Sequence, residues 1–350
     1  LHFLGKGGWL TELTESSLPR MGYVAWGMEA LAIGSLNVYM LLSGYFLIEG
    51  SFKVKRLLQL FLQVLFYSIA IGVIAAAFGY LPEEGFSIYY LATLCLPVST
   101  GHYWFMTAYF LMYLFMPLMV QGIKRLTKKQ FQIVLALLIF VVCIVKSVVP
   151  IKLSTDMQGY DCIWYMCVFL TAAYIRLYGI PLLKSAGRSL LVYLASGAGI
   201  FALAFALRFL YLRTGKLSNM LTVSYNYNHI LTLLASVAFF CLFCYVKIKQ
   251  GTFSRFVCRI APYTLGVYLW HEHIAIRYEW QGWLYSVAGT PDNGVMLVLY
   301  TLFAAVVVFA IGILLDMLRS LLFRGLHRLF SHISAYRKLE QWLDKLAIKV

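Results

Sequence analysis

The densest group of polar residues in an apolar stretch is the segment Trp270-His271-Glu272-His273. Imidazole and carboxylate side chains are the groups that proteins use for proton transfer and metal binding. His271 and His273 are two residues apart, so a helix would point them to different faces. That spacing is not the i, i+4 pair of a metal-binding helix, and we predict no metal site. We expect His271, Glu272 and His273 to line the protein interior or an outer mouth.

Three further polar residues lie among apolar residues near the N-terminus. His2 is either an interfacial histidine or a general base for an alcohol, because histidine titrates near neutral pH. Glu29 and Asn37 are eight residues apart, a little over two turns of a helix, so both face one way. For this pair two interpretations stay open, a lining of a site or a structural hydrogen-bond network.

A basic triplet, Lys53, Lys55 and Arg56, follows the first long apolar stretch. Its simplest role is in topology and in contacts with lipid headgroups. The alternative is recognition of a phosphate-bearing ligand, because Lys and Arg donate charge-assisted hydrogen bonds to phosphate. Ser43 and Tyr45, near the end of that apolar stretch, are further candidates for lining a site.

Aromatic residues follow His102 in the segment His102-Tyr103-Trp104-Phe105. Trp and Tyr are expected at a membrane interface, so an aromatic belt is the simpler interpretation. The histidine at the same edge favours a site, and Tyr103 and Trp104 are then candidate lining residues.

The composition indicates which elements must position these side chains. Of the 350 residues, 62% are hydrophobic and 12% are charged, whereas a soluble domain is roughly half apolar and a quarter charged. Despite the net charge of +15, these values exclude a soluble enzyme, a disordered protein and a nucleic-acid binder. Apolar runs of about 20 residues recur along the chain and predict an all-α polytopic membrane helix bundle.

Nine complete transmembrane helices are predicted from these runs. They cover residues 23–48, 57–79, 102–122, 131–149, 160–178, 189–210, 229–246, 261–277 and 294–315. The run 86–97 is too short to cross and is expected to lie in the interface or to re-enter. The seven cysteines are odd in number and mostly lie in apolar runs, so no disulfide framework is predicted.

The basic residues indicate the topology. Of the 29 Lys and Arg residues, 21 fall in alternate joints and eight in the others. The basic joints cover residues 51–56, 123–130, 175–188, 247–259 and 316–350. Basic joints are cytoplasmic in membrane proteins, which predicts a cytoplasmic C-terminus.

The sequence also predicts a helical structure at each end of the chain. The apolar residues at positions 1, 3 and 4 look like the last turn of a further helix upstream, which predicts ten spans in the full-length protein. Residues 1–315 are expected to form the membrane domain. Residues 316–350 are expected to form a basic amphipathic helix on the inner membrane face.

These residues and this topology together resemble the acyltransferase-3 family of integral membrane O-acyltransferases. The likeness is greatest to the branch that modifies bacterial cell-surface polysaccharides. The matching stretches are residues 1–8, Asn37 with residues 42–45, residues 52–56, Pro97-Val98, residues 103–105 with Tyr109, Gly159-Tyr160 with Trp164, residues 264–269 and residues 271–273.

The resemblance implies ten helices and acyl transfer from acetyl-CoA to a hydroxyl of an extracytoplasmic glycan or glycolipid. It places the protein in a bacterial plasma membrane, with membrane lipids around it. His2 matches the family's catalytic histidine, while the family's first-span arginine would precede residue 1. Lys53 and Arg56 occupy the positions associated with the CoA phosphates.

Under this resemblance, His2 takes the proton from the acceptor hydroxyl as that oxygen attacks the thioester carbonyl. Glu29 is expected to orient His2 and to favour its protonated form. Asn37, Tyr103 and Trp104 all stay open as donors to the developing oxyanion.

A transporter or flippase for a glycolipid or another amphiphile is the alternative. It would use the same apolar helices with buried Glu29, Lys146, Arg208 and His271. No internal repeat is visible in the sequence, which counts against an inverted-repeat transporter.

Overall fold

The protein is a helix bundle, which we describe from a computed structural model for residues 1–81, 85–151 and 156–349. Its helices are α1 (His2–Lys6), α2 (Arg20–Ala32), α3 (Ser35–Leu47), α4 (Val54–Ala77), α5 (Ile88–Cys95), α6 (Trp104–Arg125), α7 (Lys128–Ile139), α8 (Val145–Val148), α9 (Cys162–Tyr178), α10 (Ala186–Thr214), α11 (Ile230–Tyr245), α12 (Thr252–Ile260), α13 (Thr264–His271), α14 (Trp280–Ala288), α15 (Gly294–Phe330) and α16 (Ser334–Lys345). The strands are β1 (Ser51–Lys53) and β2 (Ala347–Lys349). A π-helical turn, Phe140–Ile144, joins α7 to α8.

Among the described residues, seven helical segments are long and apolar enough to cross a membrane. They are Arg20–Leu47, Val54–Ala77, Trp104–Arg125, Lys128–Val148, Ala186–Thr214, Ser218–Tyr245 and Gly294–Phe330. Helix α9 is apolar but has 17 residues. The predicted all-α polytopic fold is confirmed, whereas the count of nine complete spans stays a prediction.

The predicted span 261–277 is not one helix, and in this respect the prediction was wrong. Helix α13 ends at His271. Beyond it, the backbone N–H of Ile274 donates to Nε2 of His102 at 3.3 Å, and the N–H of Ala275 donates to Nδ1 of His273 at 3.1 Å. Because these side chains take the N–H groups that a continuing helix would use, the chain turns instead.

The tail also differs from its prediction. Helix α15 continues beyond Leu315 to Phe330, so the predicted domain boundary falls inside a helix. Helix α16 packs beside α4, and β2 pairs antiparallel with β1. In the described part of the tail, residues 316–349, α16 alone forms a separate amphipathic helix. The tail folds back onto the end of the bundle where α4 begins.

Helices α13 and α15 approach each other closely because a glycine lies at their contact. A Cβ atom on Gly312 of α15 would lie 2.4 Å from Cα of Val267 in α13 and 2.9 Å from the Trp270 ring. Small residues allow such close packing between membrane helices. Any larger residue at position 312 must therefore displace α13.

We predict that Gly312→Ala lowers the free energy of unfolding by about 1–3 kcal/mol, because overpacking a tight contact forces backbone shifts. Thermal unfolding in detergent is the measurement. Gly325→Ala is the matched control, since Gly325 is in the same helix and has nothing within 4 Å of its Cβ position. Equal stability of both variants would contradict this account of the contact.

Candidate functional site

A cluster of two histidines, a lysine and a carboxylate joins α1 to the end of α13. We name His2, Lys6, His271 and Glu272 the histidine cluster. Nδ1 of His2 lies 2.7 Å from Nε2 of His271 and 2.9 Å from Oε1 of Glu272. The ammonium of Lys6 pairs with the same Glu272 oxygen. The buried carboxylate is thus paired with a cation and also contacts an imidazole, as burial of a charge requires.

The partners of the two rings determine which nitrogens carry protons. Nδ1 of His271 faces the backbone carbonyl of Val267, which can only accept, so Nδ1 of His271 donates. Nε2 of the neutral His271 is therefore an acceptor, and Nδ1 of His2 donates to it or to Glu272. Nε2 of His2 then keeps its lone pair, and this atom makes no hydrogen bond within the described ranges. The His2 side chain is 32% exposed.

The titration of α1 follows from its surroundings, outside the seven apolar segments. Burial lowers the pKa of His2 because it disfavours the imidazolium, and Glu272 opposes this only in part. Burial also lowers the pKa of Lys6, again against the attraction of Glu272. His2 is therefore a neutral imidazole at pH 7.

Helix α14 holds α1 in place against α13. The Phe3 ring lies 6.3 Å from the Trp280 ring and 5.9 Å from the Tyr285 ring, between centroids. The Trp9 indole donates to the Tyr285 hydroxyl at 2.7 Å. These contacts of aromatic rings hold the helix that carries His2 and Lys6.

The other two predicted histidines form a separate, saturated pair. Nε2 of His273 donates to the backbone carbonyl of Ser68 at 2.9 Å, and its Nδ1 accepts from a backbone N–H. His102 uses one nitrogen for the Ser68 hydroxyl, at 3.1 Å, and the other for the N–H of Ile274. Both rings are buried. Their hydrogen bonds hold the turn that follows Glu272.

Asn37 connects neighbouring segments of the bundle by hydrogen bonds. Its Nδ2 donates to the Tyr227 carbonyl at 2.9 Å and to the Ser236 hydroxyl at 3.3 Å. Its Oδ1 accepts from the Trp164 indole at 3.0 Å. Of the two interpretations left open by the sequence, these contacts favour the hydrogen-bond network for Asn37.

Glu29 lies close to α1 but does not take the position expected of it beside His2. Within the described part of the chain, its Oε2 is buried and accepts no hydrogen bond. The carboxylate that contacts His2 is Glu272, which was predicted as a lining residue. A catalytic role for Glu29 stays a prediction.

The predicted aromatic residues lie between helices. Tyr103 is fully buried, donates to the Leu269 carbonyl at 2.8 Å and stacks on His102 at 4.1 Å. The Trp104 ring packs against Tyr160 at 4.3 Å.

A cavity of about 720 Å³ lies at the end of the bundle where α4 begins. We name it the basic cavity. The side chains in its wall that bear on binding are Ser43, Lys53, Lys55, Arg56, Gln59, Tyr109 and Asp344. The predicted phosphate ligands Lys53 and Arg56 are thus together, and Ser43 is beside them. Tyr45 is outside this cavity, with Arg176 4.9 Å from its ring centroid.

A row of aromatic rings connects the basic cavity to the histidine cluster. We name Tyr109, Phe105 and Tyr268 the aromatic row. Tyr109 lines the basic cavity, and its ring lies 6.4 Å from that of Phe105. Phe105 lies 5.6 Å from Tyr268, which lies 6.5 Å from the His271 ring. The two places that the sequence marked as functional are therefore linked by three successive ring contacts.

The histidine cluster has the residue types of a metal site but is built as a hydrogen-bonded group. Ligand atoms of His2, His271 and Glu272 lie within 4.8 Å of one another. Two nitrogens on one tetrahedral zinc ion, with bonds of about 2.0–2.1 Å, would lie roughly 3.4 Å apart. The two imidazoles are instead at 2.7 Å, and Lys6 supplies the cation at Glu272. The prediction of no metal stays a prediction.

Lys6 was missed as a functional residue. Its spacing from His2 was the available signal, because residues four apart lie on one face of a helix. The sequence alone does not identify the partner of Lys6, because Glu272 is 266 residues away along the chain.

The comparison with protein families matches residues 1–317 to an acyltransferase domain, that of the acyltransferase-3 family. Searches of curated proteins and of solved structures find no match to this chain. The matched residues include the histidine cluster, the aromatic row and most of the wall of the basic cavity. The chain therefore belongs to the acyltransferase-3 family and is a multi-pass membrane acyltransferase.

Proposed function

We propose that this protein transfers an acetyl group from acetyl-CoA to a hydroxyl of an extracytoplasmic glycan or glycolipid, with His2 as the general base. The observation that carries the proposal is the histidine cluster. Nδ1 of His2 is held by Glu272 and His271, which leaves Nε2 with a lone pair that can accept a proton. A base held in one tautomer by a carboxylate is the arrangement that activates a hydroxyl for acyl transfer.

The reaction proceeds at Nε2 of His2. The acceptor hydroxyl gives its proton to this nitrogen as its oxygen attacks the thioester carbonyl. The tetrahedral intermediate then collapses, the carbon–sulfur bond breaks, and His2 returns the proton to the leaving CoA sulfur. Glu272 stabilises the imidazolium while it lasts. Lys6, paired with Glu272, keeps this carboxylate ionised and fixed in place.

The donor enters through the basic cavity. The phosphates of CoA bind Lys53 and Arg56, which donate charge-assisted hydrogen bonds. The pantetheine arm, which is uncharged, follows the aromatic row to the histidine cluster. Tyr109 begins that path and Tyr268 ends it.

The proposed orientation follows from the distribution of charge. The basic cavity lies among the joints that carry most Lys and Arg residues, which are cytoplasmic by the positive-inside rule. The histidine cluster lies where α13 ends, away from those joints. The acceptor is therefore met on the outer side of a bacterial plasma membrane, and the C-terminus is cytoplasmic.

Of the three candidate oxyanion donors, Trp104 is the one we retain. The Nδ2 group of Asn37 and the hydroxyl of Tyr103 already donate to backbone carbonyls. The Trp104 indole N–H has no acceptor within residues 1–81, 85–151 and 156–349, so it is available to a substrate oxygen.

We predict that His2→Ala lowers kcat for acetyl-CoA consumption by about 10²–10⁴-fold, the usual contribution of a general base. The assay follows CoA release by the full-length protein with cell-envelope glycans as acceptors. His332→Ala is the matched control, because His332 is exposed and outside the site. Equal release from the wild type and His2→Ala would remove His2 from the mechanism.

We predict that Glu272→Gln lowers kcat by at least about tenfold, because the imidazolium of His2 loses its carboxylate partner. Glu29→Gln, in the same assay, tests the carboxylate that the sequence alone suggested. A smaller loss in Glu29→Gln is expected, since Glu29 makes no contact with the His2 ring. If Glu29→Gln were the more damaging of the two, the assignment of the orienting carboxylate would be reversed.

We predict that Lys53→Gln combined with Arg56→Gln raises KM for acetyl-CoA about tenfold or more, because charge-assisted hydrogen bonds to phosphate are lost. KM for acetyl-pantetheine, which has no phosphate, should not rise. Lys128→Gln with Lys129→Gln is the control, as these residues begin α7 outside the cavity wall. An unchanged KM for acetyl-CoA would place the donor elsewhere.

A further inference from the structure

The C-terminal tail reaches the wall of the basic cavity. Strand β2 pairs antiparallel with β1, so that Ala347 lies opposite Lys53 and Ile348 opposite Phe52. Helix α16 precedes this strand and lies beside α4, the helix that carries Lys55 and Arg56. The tail is therefore hydrogen-bonded to the strand that presents one of the proposed phosphate ligands.

Two carboxylates of α16 form ion pairs with Lys55. Its ammonium lies 3.1 Å from an Asp344 carboxylate oxygen and 3.4 Å from Oε1 of Glu340. Asp344 also lines the basic cavity, as Lys55 does. The other charged residues in the wall of this cavity are Lys53, Lys55 and Arg56. An acidic side chain beside them repels an anionic ligand unless it is paired or moves away.

We propose that Lys55 is a third phosphate-binding residue and that Asp344 is its exchangeable partner, so that the tail gates the donor cavity. The inference rests on the proposed function, because it takes acyl-CoA as the ligand of the basic cavity. In the protein without CoA, the Asp344 carboxylate forms an ion pair with the Lys55 ammonium. When a CoA phosphate enters, it replaces the carboxylate as the partner of Lys55, and the Asp344 side chain moves into solvent.

The exposure of this pair suits an exchange. The side chains of Lys55 and Asp344 are 29% and 61% exposed, and a solvent-screened ion pair contributes little to stability. Breaking it therefore costs little, whereas leaving a phosphate beside an unmoved carboxylate would cost more. The pairing of β2 with β1 keeps the tail close by, so Asp344 can return when the product CoA leaves.

The test is the affinity for CoA itself, measured by calorimetry with the full-length protein in detergent. Asp344→Asn should lower Kd for CoA roughly two- to fivefold, the range set by an exposed ion pair. Glu340→Gln should have a smaller effect, because Glu340 does not line the cavity. Glu49→Gln is the matched control. Glu49 is a carboxylate near the same end of the bundle, but it pairs with Arg176 and not with Lys55.

The same measurement in the Lys55→Gln variant distinguishes the gate from a nonspecific effect of removing a negative charge. In Lys55→Gln, CoA binding should weaken, and adding Asp344→Asn should give no gain, because the carboxylate acts through Lys55. The same gain in both backgrounds, or in Glu49→Gln, would overturn the gate. Wild-type binding of CoA with no change in Asp344→Asn would overturn the gate and leave the acyltransferase proposal standing. No binding of CoA by the wild type would overturn the proposed donor site itself.

Discussion

The buried carboxylate of Glu272 is the charge around which the site is built. A carboxylate removed from water is costly unless a cation and hydrogen-bond donors satisfy it. Lys6 and His2, one turn apart on α1, supply both. Because both groups contact the same oxygen of Glu272, the pairing helps to fix the rotation of this short helix. The orientation of His2 that leaves Nε2 open is thus a consequence of how a buried charge is neutralised.

The surrounding structure serves to keep that carboxylate where it is. His102 and His273 hydrogen-bond to Ser68, and they also accept from the backbone N–H groups of Ile274 and Ala275 in the turn after α13. Gly312 lets α13 lie directly on α15. These hydrogen bonds and the close helix contact leave Glu272 little freedom, which is what preorganisation of a proton-transfer site requires. The histidines of one sequence motif therefore divide their work, His271 contacting His2 and His273 holding the turn.

Much of this was readable from the sequence, because apolar runs and their polar interruptions are local signals. The helix bundle, the polar segment at residues 271–273 and the basic triplet were all predicted. What the sequence did not show depends on contacts distant in sequence. The sequence suggested Glu29 as the carboxylate that orients His2, and this stays a prediction, whereas the fold brings Glu272 to 2.9 Å from His2. The end of α13 at His271 was missed for the same reason, since an acceptor from His102 helps to end that helix.

The proposed division of labour between the two ends of the bundle has a physical reason. CoA carries its negative charges at one end and its reactive thioester at the other, and moving phosphates into a low-dielectric interior is prohibitively costly. The basic cavity can hold the phosphates at the surface with Lys53 and Arg56. The aromatic row offers the uncharged arm a path of rings instead of charged side chains, from Tyr109 to Tyr268. Two charges develop in the interior, the imidazolium of His2 and the oxyanion of the tetrahedral intermediate, and Glu272 already lies beside the first. A membrane bundle can therefore carry an acyl group across its apolar middle without ever burying the charges of the carrier.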